Sequence, residues 1–328
     1  MSFHELVQPE IKKVEEYIAS VLEPEPKEIY GMLPQYIMRG GKRIRPILAT
    51  LCCKAVGGNQ EEVIKPAGII EMFHNFTLIH DDIADSSQFR RGEPTLHISH
   101  GIPIALNSGD ALYTLLWKEM VNLDLETKKL AWLQKRCVET FKAVAEGQGM
   151  ELSWEREKRF NISEKEYLLM ISGKTASLLS LSCEIGAVLG GADDSVCRDL
   201  RRFGNSIGVA FQIQDDILNV TGDFKKYKKE IGGDITEGKR TLMIIHCLKY
   251  CEKHERERII EVLENHRSEK QEVDFVIDVL NKSGSVEYAR KQAVGLVENA
   301  KSCLGKLDDS KERDALLEIC DYVVSRET

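Results

Sequence analysis

The sequence predicts an all-α protein, and two observations carry that prediction. Apolar residues recur at three- and four-residue spacing in AWLQKRCVETFKAVAEGQGMELSW, YLLMISGKTASLLSLSCEIGAVLGG and LRRFGNSIGVAFQIQDDILNV, whereas period-two alternation is hard to find. All eight prolines lie at or before Pro103, so the following 225 residues (328 minus 103) lack the residue that most strongly interrupts helices. We therefore predict long helices over most of the chain.

Turn-forming residues divide this helical pattern at a few places. The candidate breaks are Pro24 to Pro26, Arg90 to Pro103, Gly190 to Asp194, Thr221 to Gly238, and Gly284. None of them is long enough to be a flexible linker between domains. We therefore expect a single all-helical domain from residue 1 to residue 328.

Composition narrows the classes of function. The chain is 42% hydrophobic and 30% charged, as in soluble globular proteins, and no uninterrupted apolar run approaches the roughly 20 residues of a transmembrane helix. We expect no transmembrane segment and, because no secretory signal is evident, a cytoplasmic location. Nine scattered cysteines without CxxC pairs are expected to be reduced thiols. A formal net charge of −8 disfavours a nucleic-acid partner.

Two acidic motifs lie far apart in the sequence. The first, LIHDDIADSSQFRRG, contains Asp81, Asp82 and Asp85; the second, FQIQDDILNVTGD, contains Asp215, Asp216, Asn219 and Asp223. Residues four apart share one face of a helix, so Asp81 and Asp85 should point together. Each motif follows an apolar helical segment, which puts its carboxylates near the negative end of the helix dipole. They need a compensating cation, and magnesium typically binds one or two carboxylates plus phosphate oxygens of a substrate.

A solvated helix cap is the alternative explanation for an isolated pair of aspartates. Asp193 with Asp194, and Asp308 with Asp309, fit that explanation because each pair lies where a helix is expected to begin. The pairs Asp81–Asp82 and Asp215–Asp216, in contrast, each follow an apolar helical segment. Two such pairs in one chain favour a metal site over a helix cap.

Cations that could bind an anionic substrate accompany the acidic motifs. They are Arg39, Lys42, Arg43 and Arg45 in RGGKRIRP, Arg90 and Arg91 after the first motif, Lys174 beside Thr175 in SGKTAS, and Lys229 and Lys239 in KKEIGGDITEGKRTL. Arginine suits the bidentate geometry of a phosphate and lysine acts as a point charge. A charge run alone is usually a solvated surface, so these residues gain significance only from the acidic motifs.

Two other interpretations fail on spacing. A phosphate loop built on Gly173, Lys174 and Thr175 requires a glycine five residues before Gly173, and that position is Leu168. Glu71 and His74 form a single Glu-x-x-His unit, whereas a di-iron helical bundle requires two. We therefore expect neither a phosphate loop nor a di-iron centre.

In order along the chain, GGKRIRP, HDDIADSSQFRRGEPTLH, GQGMELSW, ISGKTASL, FQIQDDILNVTGD and KKEIGGDITEGKRTL resemble the motifs of the trans-isoprenyl diphosphate synthases. The resemblance extends from about residue 39 to residue 242. It implies a single large helical bundle around a deep central cavity, a homodimer, and head-to-tail condensation of isopentenyl diphosphate with an allylic diphosphate. A class I terpene cyclase is disfavoured, because it needs no second site for isopentenyl diphosphate.

The resemblance also assigns roles to individual residues. The catalytic set is Asp81, Asp82, Asp85, Lys174, Asp215 and Asp216, and three Mg²⁺ ions are implied, with Asp81, Asp85 and Asp215 as ligands. The isopentenyl diphosphate contacts are Lys42, Arg45, His74 and Arg91. The allylic diphosphate contacts are Arg90, Lys174, Thr175, Gln212, Lys229 and Lys239. A non-catalytic regulatory subunit is the alternative, and the presence of both acidic motifs disfavours it.

The chain departs from the family pattern at two positions. Asn219 occupies the third acidic position of the second motif, where aspartate is common; its amide oxygen can accept a hydrogen bond but carries no charge. Glu151 stands where the family has the aspartate of Gln-x-x-Asp, three residues after Gln148. Tighter dependence on magnesium concentration is the expected consequence of Asn219.

The length of the product is expected to depend on the helix that precedes the first motif. Phe76 lies five residues before Asp81, about 7.5 Å along the helix axis. A lone aromatic residue at that position resembles the archaeal-type geranylgeranyl diphosphate synthases. We therefore predict a twenty-carbon product with Phe76 as the floor and Phe73 as a second stop, and fifteen-carbon farnesyl diphosphate as the alternative.

Overall fold

The computed structural model describes residues 3–22, 25–222 and 231–326. Almost all of these residues are helical, which confirms the all-α prediction. The helices are α1 Phe3–Val21, α2 Lys27–Tyr30, α3 Leu33–Met38, α4 Ile44–Ala55, α5 Glu61–Ala84, α6 Leu96–His100, α7 Ile102–Val121, α8 Thr127–Arg156, α9 Glu164–Ile171, α10 Ser177–Leu189, α11 Asp194–Thr221, α12 Gly233–Thr236, α13 Leu242–Tyr250, α14 Lys253–Glu264, α15 Lys270–Lys282, α16 Ser285–Cys303 and α17 Lys311–Ser325. A π-helical turn, Ser172–Ala176, joins α9 to α10.

Several of the predicted helix breaks are confirmed, and one break between two helices was not predicted. α10 ends at Leu189 and α11 begins at Asp194, as predicted, and Gly284 precedes α16 with a positive φ of 69°. At the predicted Arg90 to Pro103 break, a short antiparallel hairpin pairs β1, Phe89–Arg90, with β2, Glu93–Pro94, but α6 and the first residues of α7 also lie in that interval. The break between α7 and α8 was not predicted, because its residues carry no proline or glycine.

The chain forms two compact units. The first comprises Met1–Val138, Leu181–Arg201 and Lys306–Leu316. Its core is α5, which packs against α1, α4 and α7 and is buried along most of its length. Glu61 and Glu62 in its first turn suit the positive end of the helix dipole. The helix ends at the first acidic motif.

The second unit comprises Glu139–Ser180, Arg202–Gly305 and Leu317–Thr328. Within it, α13 packs against α16 and α15, and α9 packs against the π-helical turn. The apolar face of α11 is buried, and the second acidic motif lies near the C-terminal end of that helix. The expectation of one domain over residues 1–328 stays a prediction.

One stretch of helix is apolar enough to be compared with a membrane span. Residues Glu164–Leu189 have a mean hydropathy of 1.2 in their most apolar window, and 61% of that window is buried inside the protein. Core helices of globular proteins meet the same length and hydropathy criterion, so this result is weak evidence for a membrane span. The expectation of no transmembrane segment stays a prediction.

Candidate active site

The first acidic motif lies at the C-terminal end of α5. Asp81 occupies the last turn and Asp85 caps the helix, its N–H donating to the Asp81 carbonyl at 2.8 Å. Both side chains are half-buried. One helical turn therefore separates the two carboxylates that the sequence assigns to metal binding.

Asp82, between them, points into the protein. Its Oδ2 accepts a hydrogen bond of 2.9 Å from the Tyr36 hydroxyl, and its Oδ1 accepts one of 2.8 Å from Nε of Arg90. Burial and the charge of Asp82 raise the pKa of Tyr36, which keeps the hydroxyl protonated as a donor. Burial lowers the pKa of Arg90, but Asp82 reverses the sign and the net pKa is raised. Asp82 therefore links the first acidic motif to Tyr36 and Arg90 through hydrogen bonds.

A second group of cations lies beside this helix. Burial lowers the pKa of Arg45 to about 10, with Glu71 acting in the opposite direction, so the guanidinium is charged at neutral pH. Burial and the charges of Arg45 and Arg91 lower the pKa of His74 well below 6.5, so the imidazole is neutral. Nε of Arg45 is buried and has no hydrogen-bond partner within the described part of the chain. Three of the four predicted isopentenyl diphosphate contacts are thus in electrostatic contact, and an anion would satisfy the unpaired donor.

Arg43, which belongs to the same basic segment, has a structural role. Its side chain is 5% exposed and pairs with Glu15 at 3.0 Å and with Glu71 at 3.1 Å. A third hydrogen bond, of 2.8 Å, goes to the Ile37 carbonyl. All three partners lie in the first unit, so the Arg43 side chain links α1, α3 and α5 of that unit.

The two glycines of RGGKRIRP bring the backbone close to Arg91. Gly40 and Gly41 have positive φ angles of 96° and 125°, which favour glycine. Nη1 of Arg91 donates to the Gly40 carbonyl. A Cβ atom at Gly41 would lie 2.9 Å from Nη2 of Arg91, so any other residue there would displace the guanidinium. Lys42 follows immediately and is exposed.

The predicted floor residues belong to an aromatic cluster between α5 and α7. The ring centroids of Phe76 and Tyr113 are 5.0 Å apart, and those of Phe73 and Phe76 are 5.5 Å apart. Phe73 is only 2% exposed, whereas Phe76 is half-buried. His80 lies 4.5 Å from Phe76 on the side of the acidic motif. Tyr113 was missed, because nothing in its local sequence marks it as a neighbour of Phe76.

The second acidic motif contains a hydrogen-bonded chain. Thr175 donates to Oε1 of Gln212 at 3.0 Å, and Nε2 of Gln212 donates to Oδ1 of Asp216 at 2.9 Å. The Tyr167 hydroxyl donates to Oδ2 of Asp216 at 3.0 Å. Burial, followed by the charge of Asp234, raises the pKa of Asp216 well above its usual value. In both motifs, therefore, the second aspartate is buried beneath a tyrosine.

The π-helical turn presents Lys174 and Thr175. π-Helical turns are rare in proteins, and those that occur are often found at functional sites. Lys174 forms an ion pair with Glu151, and both side chains are about one-fifth exposed at 20% and 21%. A Cβ atom at Gly147 would lie 2.4 Å from the Lys174 backbone nitrogen, so the glycine allows α8 to approach the turn. The longer side chain of Glu151 is thus used to hold Lys174.

Asn219 positions the segment that follows the second motif. Its Oδ1 accepts a hydrogen bond of 3.0 Å from the Asp234 N–H, and its carbonyl accepts one of 2.7 Å from Gly232. Asp234 in turn accepts a bond of 3.1 Å from Nζ of Lys239, and it lines a cavity of about 10 Å³ together with Asp216. Asn219 therefore has a local structural role that needs an acceptor and no charge.

Comparison with known proteins decides the family. Residues 26–280 match the family model of the polyprenyl synthetases. The chain belongs to this family. It is 37% identical over 311 residues to a short chain isoprenyl diphosphate synthase from Methanothermobacter thermautotrophicus, covering 94% of this chain and 93% of the other. It is also 36% identical to a geranylgeranyl pyrophosphate synthase from Geoglobus acetivorans, covering 98% and 99% of the two chains.

Solved structures show the same fold. A geranylgeranyl pyrophosphate synthetase from Pyrococcus horikoshii superposes with a TM-score of 0.93 at 32% identity, covering 99% of this chain and 98% of the other. A polyprenyl synthase from Caulobacter crescentus, complexed with calcium and isoprenyl diphosphate, superposes with a TM-score of 0.91 at 28% identity, covering 99% of this chain and 97% of the other.

A further sequence relative is a geranylfarnesyl diphosphate synthase from Natronomonas pharaonis, which is 30% identical, covering 92% of this chain and 91% of the other. The polyprenyl synthetase described here is accordingly a prenyltransferase.

The acidic residues of this polyprenyl synthetase suit a hard cation. Asp81, Asp85 and Asp215 offer carboxylate oxygens, which are the ligands that Mg²⁺ prefers. Among residues 3–22, 25–222 and 231–326, however, no group of three His, Cys, Asp or Glu side chains is assembled as a metal site. Mg²⁺ usually binds one or two carboxylates and completes its coordination with water and phosphate oxygens of a substrate.

Two residues of the predicted site lie outside the described part of the polyprenyl synthetase. Lys229, a predicted allylic diphosphate contact, and Asp223, from the second motif, both fall in the interval 223–230. Lys239 lies inside the described part and pairs with Asp234 and Glu237. Tyr36, Tyr167 and Asp234 were not predicted; only Asp234 lies in a motif that sequence reasoning had singled out.

Proposed function

We propose that this prenyltransferase condenses isopentenyl diphosphate head to tail with an allylic diphosphate, with magnesium bound to its two acidic motifs. The supporting observation is the buried, unpaired Nε of Arg45 beside a neutral His74 and the positive charge of Arg91. A terpene cyclase needs no second diphosphate site, so a separate anion site favours a condensing enzyme. The geranylgeranyl synthases to which the chain is similar carry out chemistry of this class.

The side chains would act mainly by controlling charge. Bound magnesium would neutralise the diphosphate as it leaves the allylic carbon. Lys174, held by Glu151, and Lys239, held by Asp234, supply further positive charge for that diphosphate. Thr175 and Gln212, already hydrogen-bonded to each other, would supply fixed dipoles for the allylic cation. The proton lost after carbon–carbon bond formation would pass to the released diphosphate, so no general base is assigned.

The ligands proposed for Mg²⁺ are Asp81 and Asp85 from the first motif and Asp215 from the second, with three ions per active site. The half-buried position of Asp81 and Asp85, one turn apart, supports the first assignment. Asp82 and Asp216 are proposed to act indirectly, since each already accepts hydrogen bonds from two protein side chains.

Geranylgeranyl diphosphate is the proposed product. Phe76, backed by Phe73 and Tyr113, forms an aromatic layer about 7.5 Å below Asp81 along α5. The relatives from Geoglobus acetivorans and Pyrococcus horikoshii are named as geranylgeranyl synthases, although the Natronomonas relative is named for a longer product. Farnesyl diphosphate remains the shorter alternative.

Three further properties belong to the same proposal. The family match over 26–280 includes parts of both compact units, which supports one synthase domain. A homodimer in the cytoplasm is the expected assembly and location, by similarity to the family. Neither a nucleic acid nor a membrane-spanning segment is required by the reaction.

The test is product chromatography after incubation with isopentenyl diphosphate and dimethylallyl, geranyl or farnesyl diphosphate. We expect a twenty-carbon product with magnesium and none with excess chelator. Asp81→Ala and Asp215→Ala should each lower turnover by several orders of magnitude, because each removes a proposed metal ligand. Wild-type rates in chelator, or no product from any starter, would overturn the proposal and favour a non-catalytic subunit.

A further inference from the structure

An arginine distant in sequence lies against the second acidic motif. Arg326 directly follows α17, and its Cζ lies 3.8 Å from the centre of the Phe211 ring. Its Nη2 donates to the Phe211 carbonyl at 2.8 Å and lies 3.4 Å from Oδ1 of Asp215. Its own carbonyl accepts a hydrogen bond of 3.4 Å from Gln214. One arginine thus contacts three residues on a single turn of α11.

The burial of Arg326 gives these contacts weight. Its side chain is 4% exposed, whereas that of Asp215 is 28% exposed. A guanidinium keeps its proton even when buried, so the charge requires a nearby anion. Asp215 supplies that anion. The guanidinium therefore lies on the inner side of the carboxylate, and the outer side remains closer to solvent.

The two adjacent aspartates have different hydrogen-bond partners. Asp216 is held in place by Tyr167 and Gln212, whereas Asp215 lies on another side of the helix. Two adjacent carboxylates near the C-terminal end of a helix repel each other and the helix dipole. A hydrogen-bonding cation on Oδ1 offsets that repulsion and restricts rotation of the side chain.

We propose that Arg326 is a positioning residue for magnesium binding: it holds Oδ1 of Asp215 so that Oδ2 is presented to the metal. This inference rests on the proposed function, which assigns Asp215 as a ligand. Carboxylates that bind metals are usually themselves hydrogen-bonded, and loss of such a partner typically costs about 10- to 100-fold in metal affinity.

The test compares Arg326→Gln, Arg326→Lys and a matched control, Arg313→Gln. Arg313 lies in α17, the helix that Arg326 follows, but it pairs with the exposed Asp309. Magnesium would be titrated calorimetrically in the presence of inorganic diphosphate, and the thermal unfolding midpoint would be measured in parallel. We expect Arg326→Gln to weaken magnesium binding about 10-fold or more, Arg326→Lys to restore part of the affinity, and Arg313→Gln to leave it unchanged.

A purely structural role predicts a different result. In that case Arg326→Gln would lower the unfolding midpoint and leave the magnesium affinity of the folded protein at the wild-type value, which would overturn the proposal. If Arg326→Gln does not fold, Arg326→Lys decides the question in the same way. Because the titration involves no turnover, a wild-type protein that binds magnesium but makes no product would refute the proposed function alone.

Discussion

Asp82 and Arg90 form a partly buried ion pair: Nε of Arg90 donates to Oδ1 of Asp82 at 2.8 Å, and the Asp82 side chain is 1% exposed. The middle acid of the first motif is therefore directed inward, while Asp81 and Asp85 stay half-buried. Adjacent carboxylates in one motif thus have different environments.

Asp82→Asn should lower stability more than Asp81→Asn does. Removing one charge of a buried pair typically costs about 3–5 kcal/mol, and because Arg90 is one-quarter exposed we expect about 2 kcal/mol here. Asp81→Asn should change the free energy of unfolding by less than about 1 kcal/mol while nearly abolishing turnover. Urea unfolding and steady-state rates check both. Equal stability losses in the two variants would contradict this division of roles.

Arg45 and Arg43, two residues apart, should respond differently to substitution by glutamine. Arg45→Gln should raise KM for isopentenyl diphosphate about 10- to 100-fold and affect the allylic substrate little, because a charge-assisted hydrogen bond contributes about 1.5–3 kcal/mol. Arg43→Gln should instead destabilise the protein by about 3 kcal/mol, since it leaves Glu71 buried without its partner. Steady-state kinetics and chemical unfolding distinguish the two. A parallel rise in both Michaelis constants for Arg45→Gln would mean that the substrate assignment is wrong.

Phe76→Ala should lengthen the product by at least one isoprene unit, because it opens the aromatic layer below the first motif. Phe73 lies one turn deeper and is expected to act as a second stop. Phe76→Tyr is the matched control, since it keeps the ring and should keep the product length. Chromatography of dephosphorylated products gives the length directly. An unchanged product from the Phe76→Ala, Phe73→Ala double variant would show that another wall sets the length.

His74 should make the protein less stable in mild acid. Burial, with the charges of Arg45 and Arg91, lowers the pKa of His74 well below 6.5. Below pH about 6.5 the unfolded chain therefore binds more protons than the folded one, and the free energy of unfolding falls as pH decreases. Above that pH both states are neutral at this residue and the effect disappears.

The matching measurement is chemical unfolding of wild type and His74→Gln at pH 8 and at pH 5.5. The variant cannot be protonated, so the stability of the wild type relative to it should decrease between the two pH values by up to about 1.4 kcal/mol per pH unit. A stability difference that is the same at both pH values would show that the pKa of His74 is not lowered.

The sequence by itself determined the helical class and the two acidic motifs. Helical periodicity is a local property that three- and four-residue spacing reports, and the absence of proline after Pro103 leaves few other choices. The spacing of Asp81 and Asp85 likewise fixes that they share a face at the end of α5, because helix geometry sets it.

Only the tertiary structure decided which acid of each motif is turned inward. Tyr36 reaches Asp82 across 46 residues and Tyr167 reaches Asp216 across 49, and neither tyrosine lies in a recognisable motif. Arg326 reaches Asp215 across 111 residues. A buried carboxylate needs hydrogen-bond donors wherever the packed helices supply them, and that depends on which helices meet in three dimensions rather than on local sequence.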